Sequence, residues 1–142
     1  MSTPLGRDWL LANLPHQGAM NLLAEIVEWD ESRLRARAEG HRSPTHALRR
    51  GTMLPATAAI EYGAQAAAAH GALAAQAPSG AVMIAAVRAV RFHATRLDDV
   101  EEDLEIRAEQ LGGGAAGVIY GFEVAAGDRV LAEGRVTIAF SK

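Results

Sequence analysis

Leu54-Pro55-Ala56-Thr57-Ala58-Ala59-Ile60-Glu61-Tyr62-Gly63-Ala64-Gln65 runs on in alanine to about Gln76, and the reading of this stretch decides the fold. From Gly51 to Val87 there is no Lys, Arg or Asp and no Glu other than Glu61. Alanine is the strongest helix former. Pro55 suits a first helical position, because its missing N–H would have no partner there anyway. The spacing predicts a helix from Pro55 of roughly 30 Å, stopped by Pro78-Ser79-Gly80. Such a rod has no polar face, so other structure must surround it. A carboxylate in its middle is expensive to bury unless it is paired, protonated or used. Desolvation makes a carboxyl a better proton donor near neutral pH. Glu61 is therefore the first candidate for chemistry. The alternative is a structural carboxylate bonded to a backbone amide or to Arg88.

Strand patterns flank the helix. Arg7 to Asn13 reads as a short helical turn ended by Pro15, and Met20 to Trp29 as an apolar strand. Arg33 to Glu39 alternates with period two, the mark of a half-buried strand. A loop from Gly40 to Leu54 follows. After the helix come Val82 to Phe92, Leu104 to Glu109, Val118 to Val124 and Val130 to Phe140. Turn signals at Gly112-Gly113-Gly114 and Ala126-Gly127-Asp128 punctuate them. The order is β-β-helix-β-β-β-β. One hydrophobic sheet face and one long apolar helix are most economically satisfied together, by a strongly curved antiparallel sheet wrapped round the helix.

A length of 142 residues gives one domain, residues 1–142, able to bury its own core. Hydrophobic residues make up 49% and charged residues 22%, an ordinary globular balance. The net charge of −3 and the absence of a basic stripe argue against nucleic acid. With no cysteine, disulfides and thiolate metal sites are excluded, and the composition fits a reducing cytoplasm. Met1 to Asp8 lacks the basic-then-apolar run of a signal peptide. The apolar segment 53–77 is mostly alanine and carries Glu61, Gln65 and His70, so it reads as a buried helix and not as a membrane span.

The motifs, in order, resemble the 3-hydroxyacyl-[acyl-carrier-protein] dehydratases of the FabZ type. Leu14-Pro15-His16-Gln17-Gly18-Ala19-Met20-Asn21-Leu22-Leu23 is similar to that family's L-P-H-R-x-P-x-L-L-V-D. Met53-Leu54-Pro55 with Glu61 and Gln65 is similar to its M-P-G-V-L-x-x-E-A-x-A-Q, and Ala86 to Phe92 to its strand ending in A-R-F. The chain is closer still to the branch found with aryl-polyene biosynthesis, in which LPH-x-GAM-x-LL, HR-x-P and LDD recur. The resemblance covers nearly the whole chain. It implies an α+β hotdog fold and a homodimer or higher homo-oligomer. It also implies a substrate linked to the phosphopantetheine of an acyl carrier protein, with no metal and no cofactor.

The resemblance also implies a catalytic pair, a loop histidine and the helix Glu, meeting across a dimer interface. Glu61 matches the helix Glu. For the histidine, His46 falls within one residue of the family's offset, and His41 in His41-Arg42-Ser43-Pro44 is the motif histidine of the variant branch. The family's G-H-F-P loop is absent. Dehydration needs a base for the C2 proton, an acid for the departing C3 hydroxyl and a dipole for the enolate-like oxygen. An imidazole suits the first, a desolvated carboxyl the second, and the amides from Leu54 to Ala58, including the Pro55–Ala56 turn, the third. His16 and Gln65 are assigned to substrate binding. Backbone hydrogen bonding is the plainer alternative for both, and solvated loop positions for His41 and His46. Arg49 and Arg50 are weaker candidates for the arm's phosphate. A thioesterase, or a catalytically silent acyl-binding partner subunit, is open on the same fold.

Overall fold

The computed structural model describes residues 4–75, 82–114 and 117–140. The expected helix end near Gln76, the Pro78-Ser79-Gly80 stop and the tip of the hairpin after Gly114 lie outside them. The elements are α1 (Arg7–Asn13), β1 (Glu25–Trp29), β2 (Arg33–Ala38), α2 (Ala58–Ala75), β3 (Val82–Phe92), β4 (Leu104–Gly114), β5 (Gly117–Ala126) and β6 (Arg129–Phe140). All six strands form one antiparallel sheet in the order β1-β2-β4-β5-β6-β3.

The sheet packs on α2, which touches β2, β4, β5 and β6. From Tyr62 to His70 every residue of α2 is buried. The sheet supplies Leu34, Ile106, Phe122, Val124 and Val136 to this core. Small side chains on α2 leave no spare room beside it. A Cβ on Gly63 would stand 2.5 Å from the Phe122 ring, so the ring packs directly on the helix backbone there.

Two boundaries differ from the sequence reading. The first strand begins at Glu25, because Gly18–Met20 coils into a 3-10 turn and residues 21–24 are irregular. The long helix begins at Ala58 and not at Pro55. Residues 54–56 are held as a short ribbon against 95–97: Leu97 N–H donates to the Leu54 carbonyl at 2.9 Å, and Ala56 N–H to the Thr95 carbonyl at 3.0 Å. Asp98 completes the tether, its Oδ1 accepting the Leu54 N–H at 2.9 Å. Arg96 donates to both Asp98 oxygens and, as the leading cause, holds this carboxyl far below the usual carboxylate range. The Leu97-Asp98-Asp99 motif thus anchors the segment that leads into α2.

Candidate active site

Glu61 projects from the first turn of α2, and its side chain keeps 29% exposure. The expectation that it is sealed from water is corrected: Ile60 and Glu61 are only half-buried, between buried Ala59 and buried Tyr62. Its partner is also not the one expected. His16 Nε2 lies 3.6 Å from Glu61 Oε1, just beyond a hydrogen bond. His16 is itself only 18% exposed.

The segment carrying His16 is fastened from three directions. Gln65, one turn beyond Glu61 on α2, accepts the Leu22 N–H at 2.9 Å and donates to the Met20 carbonyl at 2.7 Å. Its amide is thus engaged by backbone. Asn21 donates to the His16 and Leu10 carbonyls, both at 3.1 Å. Arg7 donates to the carbonyls of Gly18, Asn21 and Leu23. His16 Nδ1 and Asn21 Oδ1 are buried with no partner among the described residues.

The two loop histidines stand differently. His41, in the turn Gly40–Arg42, is 1% exposed. Its Nε2 lies 2.8 Å from the Val100 carbonyl, an acceptor, so Nε2 carries the proton. Nδ1 then keeps a lone pair, buried and without a partner among the described residues. His46 has both nitrogens occupied. Nδ1 accepts the Leu48 N–H at 3.0 Å, so Nε2–H donates to the Tyr62 hydroxyl at 2.9 Å. Burial first, then the nearby His41 and Arg49 charges, push the His46 pKa below its usual value. Burial pushes the Tyr62 hydroxyl well above its own.

At the start of α2, Ala56 N–H is taken by Thr95, and Ala58, Ala59 and Ile60 donate to carbonyls three residues back. Thr57 N–H has no acceptor among the described residues, and Thr57 is exposed. One amide is therefore free where the sequence suggested several. Pro55 is half-buried in its bridge with Arg96. Arg49 donates to the Ser43, Thr52 and Arg42 carbonyls and so braces its own loop.

Sequence reasoning missed the proximity of His16 to Glu61, whose only signal was the position of Leu14-Pro15-His16 at the head of a motif. It also gave no role to His70. This buried helix residue meets the Tyr120 hydroxyl at 2.8 Å and the Asp30 carbonyl at 3.0 Å, so its ring is engaged on both sides. Burial pushes the Tyr120 pKa up to about 12. An open trough of about 980 Å³ lies elsewhere, lined by Arg35, Arg107, Glu133, Arg135 and Phe122 among others. It contains none of Glu61, His16, His41 or His46, and its charged walls offer no counterpart to the acid–imidazole pair. Among the described residues no three His, Asp or Glu side chains could hold a metal ion, and no helix is long and apolar enough to cross a membrane.

A curved antiparallel sheet around one buried helix, with a carboxylate and an imidazole at the start of the helix, is the hotdog fold of thioesterases and dehydratases. The chain belongs to the ApeP-like family: the family model for ApeP dehydratase matches residues 10–141. By family, then, it is a dehydratase, a hydro-lyase. Its structure is similar to a chain of the dehydratase heterocomplex ApeI:P from Xenorhabdus doucetiae, with TM-score 0.80 and 23% identity over 91% of this chain and 88% of that one. It is also similar to Cj0977, a sigma28-regulated virulence protein from Campylobacter jejuni, with TM-score 0.59 and 14% identity over 90% and 82%. Thioesterase PA1618 from Pseudomonas aeruginosa follows, with TM-score 0.55 and 12% identity over 81% and 78%. At these identities the likeness is one of fold. No curated protein matches the sequence.

Proposed function

We propose that this chain removes water from 3-hydroxyacyl thioesters carried on the phosphopantetheine arm of an acyl carrier protein, in a fatty-acid-like or aryl-polyene pathway of the cytoplasm. The observation that carries the proposal is the Glu61–His16 pair, 3.6 Å apart at the start of α2 in a chain of a dehydratase family. Elimination breaks two bonds on adjacent carbons. The His16 imidazole takes the C2 proton, and that C–H electron pair becomes the C2=C3 bond. The Glu61 carboxyl group is assigned to deliver a proton to the C3 hydroxyl, so that the C3–O bond breaks and the oxygen leaves as water. The free Thr57 N–H and the positive end of α2 are assigned to the thioester oxygen, where negative charge develops. A protein dipole aimed at that oxygen is worth most if water is excluded, which the exposure of Glu61 in the single chain supports only with a second chain over it. We therefore place the reaction in an assembly of two or more chains.

A second assignment of the base has its own support. His41 has a fixed tautomer and a buried, unpartnered Nδ1, as a base waiting for a proton would. His46 is assigned to bracing Tyr62 and the loop, since both its nitrogens are occupied. Turnover of a 3-hydroxyacyl thioester by His16→Gln, His41→Gln and Glu61→Gln, with products weighed by mass spectrometry, tests all of this. Glu61→Gln and His16→Gln are expected to lose about 10²-fold or more while folding normally. Full dehydration by Glu61→Gln would end the proposal, and a loss confined to His41→Gln would move the base to His41. Free acid in place of the unsaturated thioester would make the chain a thioesterase.

A further inference from the structure

His16 and Asn21 lie on a segment that folds back on itself. Gly18–Met20 coils into a 3-10 turn, closed by the Asn21 N–H donating to the Gly18 carbonyl at 3.1 Å. The Asn21 side chain then reaches back to His16. Its Nδ2 donates to the His16 and Leu10 carbonyls, both at 3.1 Å, and the residue is 2% exposed. Both amide hydrogens are thus taken by carbonyls. That fixes which way round the amide lies, because a flipped amide would set its oxygen against two carbonyl oxygens. Oδ1 is left as a buried acceptor with no partner among the described residues.

A buried acceptor calls for a donor. Three side-chain atoms are buried without a partner among the described residues: His16 Nδ1, Asn21 Oδ1 and His41 Nδ1. Asn21 Oδ1 can only accept. His41 carries its proton on Nε2, against the Val100 carbonyl, so its Nδ1 also accepts. His16 Nδ1 is the one of the three able to supply a hydrogen, and it belongs to the residue whose carbonyl Asn21 already holds. The other nitrogen of that ring, Nε2, faces Glu61 Oε1 at 3.6 Å, too far for a hydrogen bond that would keep the proton there. The proton of a neutral imidazole goes to the nitrogen that finds an acceptor.

We propose that Asn21 is a positioning residue: its Oδ1 takes the Nδ1–H of His16, directly or through one bridging water, and so holds the neutral ring with the Nε2 lone pair turned toward Glu61. This role rests on the reading of His16 as the base. A base that takes the C2 proton at Nε2 must have that nitrogen bare, and a third group that orients the ring and fixes its tautomer keeps it so. Asn21 is uncharged, so it selects the tautomer without a buried carboxylate that would favour the imidazolium. The plainer alternative is a brace, in which only the two N–H bonds to carbonyls matter. A brace needs the donors of Asn21, whereas positioning needs its acceptor.

Two variants separate donor from acceptor. Asn21→Asp keeps an oxygen beside His16 and removes the two N–H donors, and Asn21→Leu removes everything. Long-range nitrogen–proton NMR spectra of isotope-labelled protein read the tautomer at a pH where the ring is neutral. His16→Gln identifies the His16 signals among those of the five histidines, and thermal melts set a temperature at which every variant is folded. Wild type and Asn21→Asp are expected to carry the His16 proton on Nδ1. In Asn21→Leu it is expected to move to Nε2, the nitrogen that a free neutral imidazole ring favours. With a 3-hydroxyacyl thioester, kcat of Asn21→Leu is expected to fall about tenfold, in proportion to the loss of the competent tautomer, with KM little changed. Asn21→Asp, at the same pH, is expected to lie well above it. A wild-type ring with its proton on Nε2, a tautomer unmoved in Asn21→Leu, or a kcat that stays level while the tautomer changes overturns the proposal. The spectra need no substrate, so a wild type that shows the Nδ1–H ring but never dehydrates would count against the proposed function and leave the Asn21–His16 bond standing.

Discussion

Gln65 on the central helix is joined to Leu22, a residue 43 positions earlier, by a 2.9 Å hydrogen bond from the Leu22 amide to its side-chain oxygen. The other end of the same amide holds the Met20 carbonyl. One side chain thereby fixes the segment bearing His16 to the helix bearing Glu61, with both ends of its amide engaged by backbone. Gln65→Leu leaves the buried Leu22 N–H without a partner, an expected loss of about 1–3 kcal/mol, and frees the part-buried Met20 carbonyl at a smaller cost. If the role were only structural, activity would recover at a temperature where the variant is fully folded. A positioning role predicts that kcat stays low there, with KM little changed and the pH profile distorted. Steady-state kinetics well below the melting temperature separates the two.

Gly63 faces Phe122, whose ring packs directly on the helix backbone. Ala is normally the better helix residue, so propensity alone predicts that Gly63→Ala stabilises. Packing predicts the reverse, because the new methyl would lie 2.5 Å from the ring. Overpacking of this kind costs about 1–3 kcal/mol, which exceeds the roughly 1 kcal/mol gained in propensity. A lower melting temperature for Gly63→Ala, partly recovered by adding Phe122→Leu, is the expected double-mutant result. A stabilised single mutant would mean that β5 yields easily.

The element order was legible because each signal was local. Period-two alternation marks β2, β4 and β5, and a charge-free alanine run can only be a buried helix. Isolation among uncharged neighbours also singled out Glu61. What the sequence withheld depends on contacts distant along the chain. The helix starts late because Leu54 is captured by Asp98, 44 residues further on. His16 reaches Glu61 because Gln65 and Arg7 pull its segment in. Glu61 read as buried because every neighbour in sequence is apolar, but its side chain keeps 29% exposure in the folded chain.

Asp98 makes the fold acid-sensitive in a definite direction. Its carboxyl is held below the ordinary value mainly by Arg96, with the Leu54 amide adding to the effect. A lowered folded-state pKa means the unfolded chain binds the proton first. The stabilisation is therefore complete above about pH 4, the ordinary carboxylate value, and declines as the pH falls below it. Asp98→Asn removes the charge but keeps the shape. Its melting temperature is expected to sit below wild type at pH 7, with the difference narrowing as both are taken toward pH 3. A difference that widens on acidification would have the wrong sign for this tether.

His46 predicts a second pH step, at higher pH. Burial lowers its pKa, and the nearby His41 and Arg49 charges add to this. The neutral ring is the folded form, its Nδ1 accepting from Leu48 and its Nε2–H donating to Tyr62. The contribution to stability is thus complete above about pH 6.5, the unfolded value, and falls away as protons bind below it. Protonation puts a hydrogen on Nδ1, where it meets the Leu48 N–H, so the loop from Gly40 to Leu54 loosens with the same midpoint. Imidazole resonances followed by NMR should show His46 titrating below pH 6.5 as the Nε2–H tautomer. Tyr62→Phe removes the acceptor for that hydrogen at a cost of about 1 kcal/mol and leaves the Leu48 bond, and with it the Nε2–H tautomer, in place. Titration of His46 above the ordinary value would place a carboxylate against it, and the imidazole would then have to be counted again among the candidates for proton transfer.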